Sequence, residues 1–307
     1  MPTQPIDDAA LPLPEREREY SPSSVIGGDY QPFMRDYRRR SDKARAFQPA
    51  GWRDCTWGPG GAHTLSLWTP PEREDATQRP PLLVFIHGGY WQELSRLDSL
   101  FPAIGCMQQQ FAFAALDYSL APEARVRDIA LECRQALRWL NDHANDWGFD
   151  PDRIVVAGSS AGAHLAAMCC LRSWPHDADL PPRLPAAAVL VSGIFELEPL
   201  IGTSIDRALG LTRDDCASIS PLRHDGFSKV PTAVFWGEHE TDAFKRQSQA
   251  LTARLRRLGV SVTTSTEVPG RNHFDAILDL TTPQTALGDA TIALMARTGL
   301  PPFATEI

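Results

Sequence analysis

From about residue 62 onward the chain alternates short continuous apolar runs with longer stretches whose apolar positions recur at helical spacing. The run Leu82–Ile86 (LLVFI) is rich in branched and aromatic residues and ends at glycines, which predicts a strand buried on both faces. Residues 111–116, 154–157 (IVVA), 187–191 and 232–236 read the same way, and 260–267 alternates as a further strand. Between them, Ile129, Cys133, Ala136, Leu137 and Leu140 mark one helical face and predict a helix over 129–143. Further helices are expected at 161–171, about 244–258 and roughly 284–296. Strand–helix alternation of this kind implies a mostly parallel central sheet with helices on both faces. Such sheets bind ligands beyond the carboxyl ends of their strands. The rhythm breaks at 193–228, where Gly193, Pro199, Gly202, Gly210 and Pro221 punctuate short helical pieces. That stretch reads as a small cap inserted over the site, with an ordinary irregular connection as the alternative.

Residues 1–50 differ from the rest. They are polar and charged, and 33–47 reads as a solvated helix with a few apolar anchors. The organisation expected is therefore an N-terminal helical or extended segment (1–50) followed by one domain (51–307) carrying the insertion at about 193–228. A chain of 307 residues with 43% hydrophobic content can bury one sizeable core. The net charge of −8 argues against a nucleic-acid partner, despite the cluster of Arg38, Arg39, Arg40, Lys43 and Arg45. No apolar run approaches the roughly 20 residues needed to span a bilayer, and 1–19 has no apolar signal core. Six cysteines without a CxxC pair read as buried thiols, which points to a cytoplasmic protein, and no Cys/His cluster suggests a metal. Neither membrane association nor any cofactor is expected.

The motifs then supply chemistry. Gly158-Ser159-Ser160-Ala161-Gly162 matches G-x-S-x-G between a predicted strand and a predicted helix, which is the context of a nucleophile elbow. Ser160 is the expected nucleophile, because the glycines flank it symmetrically and Ser159 is out of register. His87-Gly88-Gly89-Tyr90-Trp91 follows the strand LLVFI, where an HGG turn supplies oxyanion donors; Gly88, Gly89 and Ala161 are the donors expected. Tyr90 and Trp91 could stack on an aromatic substrate, with core packing as the alternative. Of eight histidines, His273 lies late in the chain after a strand and is the expected base; His164, His176, His224 and His239 are less well placed. The acid should follow the strand TAVFW. Glu240 is favoured and Asp242 is the alternative, since an aspartate there can also start the next helix. These parts together imply the α/β-hydrolase fold.

The segments HGGYWQ at 87–92, GSSAGAHLAAM at 158–168, FKRQS at 244–248, HFD at 273–275 and EYSPSS at 19–24 resemble the arylformamidase (kynurenine formamidase) branch of that family. The resemblance covers roughly residues 20–280. It implies a nucleophile at Ser160, a base at His273, oxyanion glycines at Gly88 and Gly89, and an acid at Glu240 where the family often has aspartate. It further implies hydrolysis of an N-formyl or other small N-acyl arylamine amide, of the N-formylkynurenine type, through an acyl-enzyme. A carboxylesterase for short acyl esters is the alternative reading, and a non-catalytic binding protein of hydrolase fold a more distant one. The expected partner is a small aromatic amide or ester; a homodimer follows only by analogy.

Overall fold

The computed structural model describes residues 7–47, 50–71, 79–172, 174 and 180–298. Eight strands form one sheet: β1 (Trp52–Thr56), β2 (Thr64–Trp68), β3 (Leu82–Ile86), β4 (Ala112–Leu116), β5 (Ile154–Ser159), β6 (Ala187–Val191), β7 (Thr232–His239) and β8 (Val262–Asn272). Their spatial order is β1-β2-β4-β3-β5-β6-β7-β8. The pairings β1–β2 and β2–β4 are antiparallel, and every pairing from β4 to β8 is parallel. The helices are α1 (Leu13–Glu19), α2 (Gln31–Phe47), α3 (Ala103–Gln108), α4 (Val126–Asp142), α5 (Ala144–Trp147), α6 (Ala161–Cys169), α7 (Asp206–Leu209), α8 (Arg213–Ile219), α9 (Asp242–Arg257) and α10 (Ala286–Arg297). This is the α/β-hydrolase fold, with a mostly parallel sheet between two helical layers.

The four central strands β3 to β6 are buried along their whole length, as continuous apolar runs require when helices cover both faces. Alternate residues of each strand feed two cores. Leu82, Val84 and Ile86 of β3 join α4 and α6 on one face. Leu83 and Phe85 join α3 and α10 on the other. Five of the six cysteines are buried and Cys55 is half-buried. No helix among the described residues is long and apolar enough to cross a membrane.

Two strands, β1 and β2, have no counterpart in the sequence-based expectation. β1 (WRDCT) is an edge strand, paired on one side only, and carries Arg53 and Asp54. Charge on such an edge discourages pairing with other chains, and it also erases the apolar pattern that reveals interior strands. β8 is longer than expected. It runs through Pro269 and Gly270 to Asn272, with a register shift against β7 and a positive φ of 69° at Gly270. A proline–glycine pair reads as a stop, but a bulge accommodates both.

That extension matters for the site. The last pairing of β7 with β8 joins His239 to Asn272. The next residue on each strand is Glu240 and His273. Two positions 33 residues apart in sequence are thereby set side by side beyond the carboxyl edge of the sheet.

Candidate active site

Ser160 sits between β5 and α6 with φ 56° and ψ −122°, a backbone conformation that an L-residue adopts only when its surroundings impose it. Ser160 N donates to Val191 O on the neighbouring strand, and Ser160 O accepts from Ala163 N and His164 N in the first turn of α6. The flanking glycines are sterically obligatory. A Cβ on Gly158 would lie 2.2 Å from Gly162 O, and one on Gly162 would lie 2.0 Å from Ile86 O. Strand, turn and helix therefore approach one another more closely than any side chain permits. We expect Gly162→Ala to cost about 3 kcal/mol or more, because the obstacle is main chain of the central strand β3 and cannot swing aside. Urea unfolding of the variant checks this.

The HGG turn lies directly against the elbow. A Cβ on Gly88 would lie 2.9 Å from Ser159 O and 3.3 Å from Ser160 Cβ. Gly89 has φ 95°, and Tyr90, Trp91 and Leu94 also adopt positive φ, so the loop is tightly wound. Its shape is held from below by Tyr118, whose hydroxyl donates to His87 O at 2.8 Å and whose ring stacks on His87 at 4.1 Å. His87 is buried and donates from Nδ1 to Gly88 O at 2.9 Å. Burial lowers its pKa, so it stays a neutral brace. Next to Tyr118, Asp117 accepts from Thr64 and Arg96 and ties β2 to the loop after β3.

His273 Nδ1 donates to Glu240 Oε2 at 3.1 Å. Glu240 Oε1 accepts from the Ser192 hydroxyl and from Gly237 N, so the carboxylate is fully engaged and only 6% exposed. Asp242, the alternative acid, stands in the first turn of α9 and is exposed. Phe244 of the FKRQS segment packs edge-on against the His273 ring, with centroids 4.3 Å apart. Ser160 and His273 both line one cavity of about 520 Å³, together with Gly88, Gly89 and Tyr90. Ala161 is buried in the first turn of α6. Trp91 does not line the cavity. Its ring is buried and meets His164 edge-on at 5.0 Å.

Of the other histidines, His87 lines the cavity, whereas His164 and His224 do not. His164 Nε2 donates to Ile219 O at 2.7 Å; His224 Nε2 donates to Ser218 O at 2.9 Å; His176 lies outside the described residues. Burial drives the pKa of His164 down to about 4 from an ordinary 6.5. A histidine that resists protonation when folded but not when unfolded favours the unfolded chain in acid. Stability is therefore expected to fall between pH 6.5 and about 4, with His87 acting in the same direction. Denaturant titrations of wild type and His164→Gln should show a shallower acid loss in the variant.

The cavity's outer wall comes from residues that the sequence left as a solvated segment. Ser21, Pro22 and Ser23 line it, as do Tyr30, Met34 and Tyr37. Tyr37 is buried on α2 and its hydroxyl donates to Phe274 O, next to His273. Tyr30 and Phe33 stack on the Phe274 ring at 5.6 and 5.4 Å. The EYSPSS segment is anchored at Tyr20, whose hydroxyl donates to Asp8 Oδ2 at 2.9 Å and accepts from Gln247 Nε2 at 3.0 Å. Tyr20 O accepts from the Tyr90 hydroxyl, and Glu19 Oε2 accepts from Ala243 N at the start of α9. From the 193–228 stretch, Ser204 and Ile205 reach the cavity, and Gln92 Nε2 donates to Ile205 O at 2.9 Å.

Comparison with known proteins agrees with this architecture. A family model described as BD-FAE matches residues 65–181. The kynurenine formamidase of Danio rerio is 29% identical over 233 residues, 74% of this chain and 76% of the relative. A crystal structure from Silicibacter sp. tm1040, provisionally described as a thioesterase, superposes with a TM-score of 0.76 at 25% identity and covers 92% of this chain and 99% of that one. The chain has the α/β-hydrolase fold and is similar to the arylformamidases. Esterases share the likeness: Esterase LipQ of Mycobacterium tuberculosis is 26% identical over 242 residues, 72% of this hydrolase and 57% of the relative.

Proposed function

We propose that this protein is a serine hydrolase that cleaves an N-formyl or other small N-acyl arylamine amide. The reading rests on one observation above others: Ser160 at a strained elbow and His273, held by Glu240, open onto the same cavity. Ser160 Oγ attacks the acyl carbon while His273 Nε2 takes its proton. Backbone N–H groups of Ala161 and of Gly89 or Gly88 receive the oxyanion. His273 then protonates the departing arylamine nitrogen, and water, activated by the same imidazole, hydrolyses the acyl-enzyme. Glu240 keeps Nδ1 protonated, so that Nε2 is free to accept. The N-terminal segment and the 193–228 insertion serve as the cap, and no metal or cofactor enters the scheme.

The aromatic character of the cavity supports an aryl substrate: Tyr30, Phe85, Tyr90, Phe101 and Phe274 all contribute to its wall. Likeness to kynurenine formamidase supports the amide. Likeness to an esterase keeps a short-chain carboxylesterase as the second reading, because the same residues cleave esters. The deciding experiment compares kcat/KM for N-formyl-L-kynurenine, an N-acetyl arylamine and p-nitrophenyl acetate. A value above roughly 10⁴ M⁻¹s⁻¹ on the formyl amide supports the first reading. Weak turnover there, with stronger turnover of the ester, moves the function to the second.

A further inference from the structure

His273, the proposed base, stands where the sheet no longer holds it. β8 ends at Asn272, so His273 and Phe274 lie beyond the last ladder pair. A local box shapes this turn: Asn272 Oδ1 accepts from Phe274 N at 2.8 Å, and Asp275 Oδ1 accepts from Asn272 N at 2.6 Å. Bonds within a turn fix its shape and leave its distance from Ser160 open. Glu240 and Phe244 bound the imidazole on two sides. The Phe274 ring bounds it on another, edge-on with centroids 5.4 Å apart. Phe274 is in turn gripped by α2, a helix of the N-terminal segment. The Tyr37 hydroxyl donates to Phe274 O, and the Phe33 and Tyr30 rings stack on the Phe274 ring at 5.4 and 5.6 Å.

The sequence of α2 builds this grip. Phe33, Tyr37, Ser41 and Ala44 recur at spacings of four, four and three, so they share one stripe of the helix. The later part of the stripe is fixed to the chain that leaves the HGG turn. Tyr37 stacks on Phe101 at 5.4 Å, Ser41 Oγ accepts from Leu100 N at 2.9 Å, and Ala44 is buried. One helix thereby joins the segment after β3 to the turn after β8. Tyr37 lines the cavity and can meet a ligand, but Phe33 does not line it, so its ring serves Phe274. Misplacing a catalytic group by about 1 Å costs on the order of 100-fold in rate, which makes a grip of this kind matter to the reaction. We infer that α2 is a positioning element for His273: Phe33 and Tyr37 hold Phe274, and through it the imidazole, where it can pass a proton between Ser160 and the leaving group. The inference rests on the reading of His273 as the base, and it gives the N-terminal segment a part in the chemistry beyond covering the cavity.

The test exploits the second duty of the base. In the full chain, 4-nitrophenyl acetate, 4-nitroacetanilide and benzyl acetate all give the same acetyl-enzyme, and kcat/KM reports the step that forms it. His273 takes the Ser160 proton with all three. The anilide nitrogen and the benzyl oxygen must also receive that proton to leave, whereas 4-nitrophenolate departs as the anion. In Phe33→Ala and Tyr37→Phe, kcat/KM for the anilide and the benzyl ester should fall about tenfold or more, and for the nitrophenyl ester by a clearly smaller factor. A helix with a purely structural role would reduce the folded fraction and lower all three alike. Where Tyr37→Phe does not fold, Phe33→Ala carries the test, since its residue is half-buried and the cavity lining stays intact. Equal factors for the three substrates, or rates within about twofold of wild type in both variants, overturn the inference. His273→Ala separates it from the reading beneath it and should lose about 10⁴-fold on all three substrates. Activity retained in that variant, or a wild type inert to all three, defeats the base and the inference together. Near-complete loss there beside unaltered ratios in the α2 variants defeats the inference alone.

Discussion

Ser160→Ala is expected to lower kcat/KM on any amide or ester substrate by about 10⁴-fold or more while the protein stays folded. The loss is large because no other group can take over the attack. Ser159 lies within the strand, at the end of β5, so the neighbouring hydroxyl is out of register with the turn. The residual rate would come from substrate binding and oxyanion donors alone. Folding should persist because the strained turn is held by main-chain contacts: Ser160 N to Val191 O, and the close approach of Gly158 to Gly162 and of Gly162 to Ile86. Steady-state kinetics beside a thermal melt check both halves of the expectation.

Glu240→Gln should cost about 10³- to 10⁴-fold in kcat, with little change in KM. The amide of the variant is expected to turn its oxygen towards Ser192 Oγ and Gly237 N, both of which donate to Oε1 in the native protein. Its NH₂ would then face His273 Nδ1, which must become an acceptor. The imidazole proton moves to Nε2, and the nitrogen facing the nucleophile loses its lone pair. Asp242→Asn is the control. That residue is exposed in the first turn of α9, and its replacement should change kcat less than about twofold. A pronounced loss in Asp242→Asn with activity retained in Glu240→Gln would reverse the assignment of the acid.

The parts of the fold that the sequence reveals are those whose environment is uniform along the element. LLVFI and IVVA are buried on every residue, and β3 and β5 lie where those runs predict. The elbow and the HGG turn are legible because their glycines answer a local steric demand that Gly158, Gly162 and Gly89 each display. The pairing of Glu240 with His273 is not local: a register shift and a bulge bring His239 opposite Asn272, and no periodicity announces it. The N-terminal segment is hidden for another reason. Tyr20, Tyr30 and Tyr37 are polar-tipped rings in charged surroundings, and each makes contacts with residues more than 50 positions away. Trp91 shows the converse. Its position next to the HGG turn suggests substrate stacking, yet a positive φ directs the chain so that the ring enters the core against His164.

The central claim is that Ser160 becomes covalently acylated. Treating the protein with a fluorophosphonate, digesting it and mapping the adduct by mass spectrometry tests that claim without requiring the natural substrate. The account predicts one adduct per chain, on the hydroxyl of Ser160, with activity lost in proportion to labelling. An enzyme that keeps hydrolysing its substrate without a label, or one that carries the label on another residue while Ser160 stays unmodified, would contradict it.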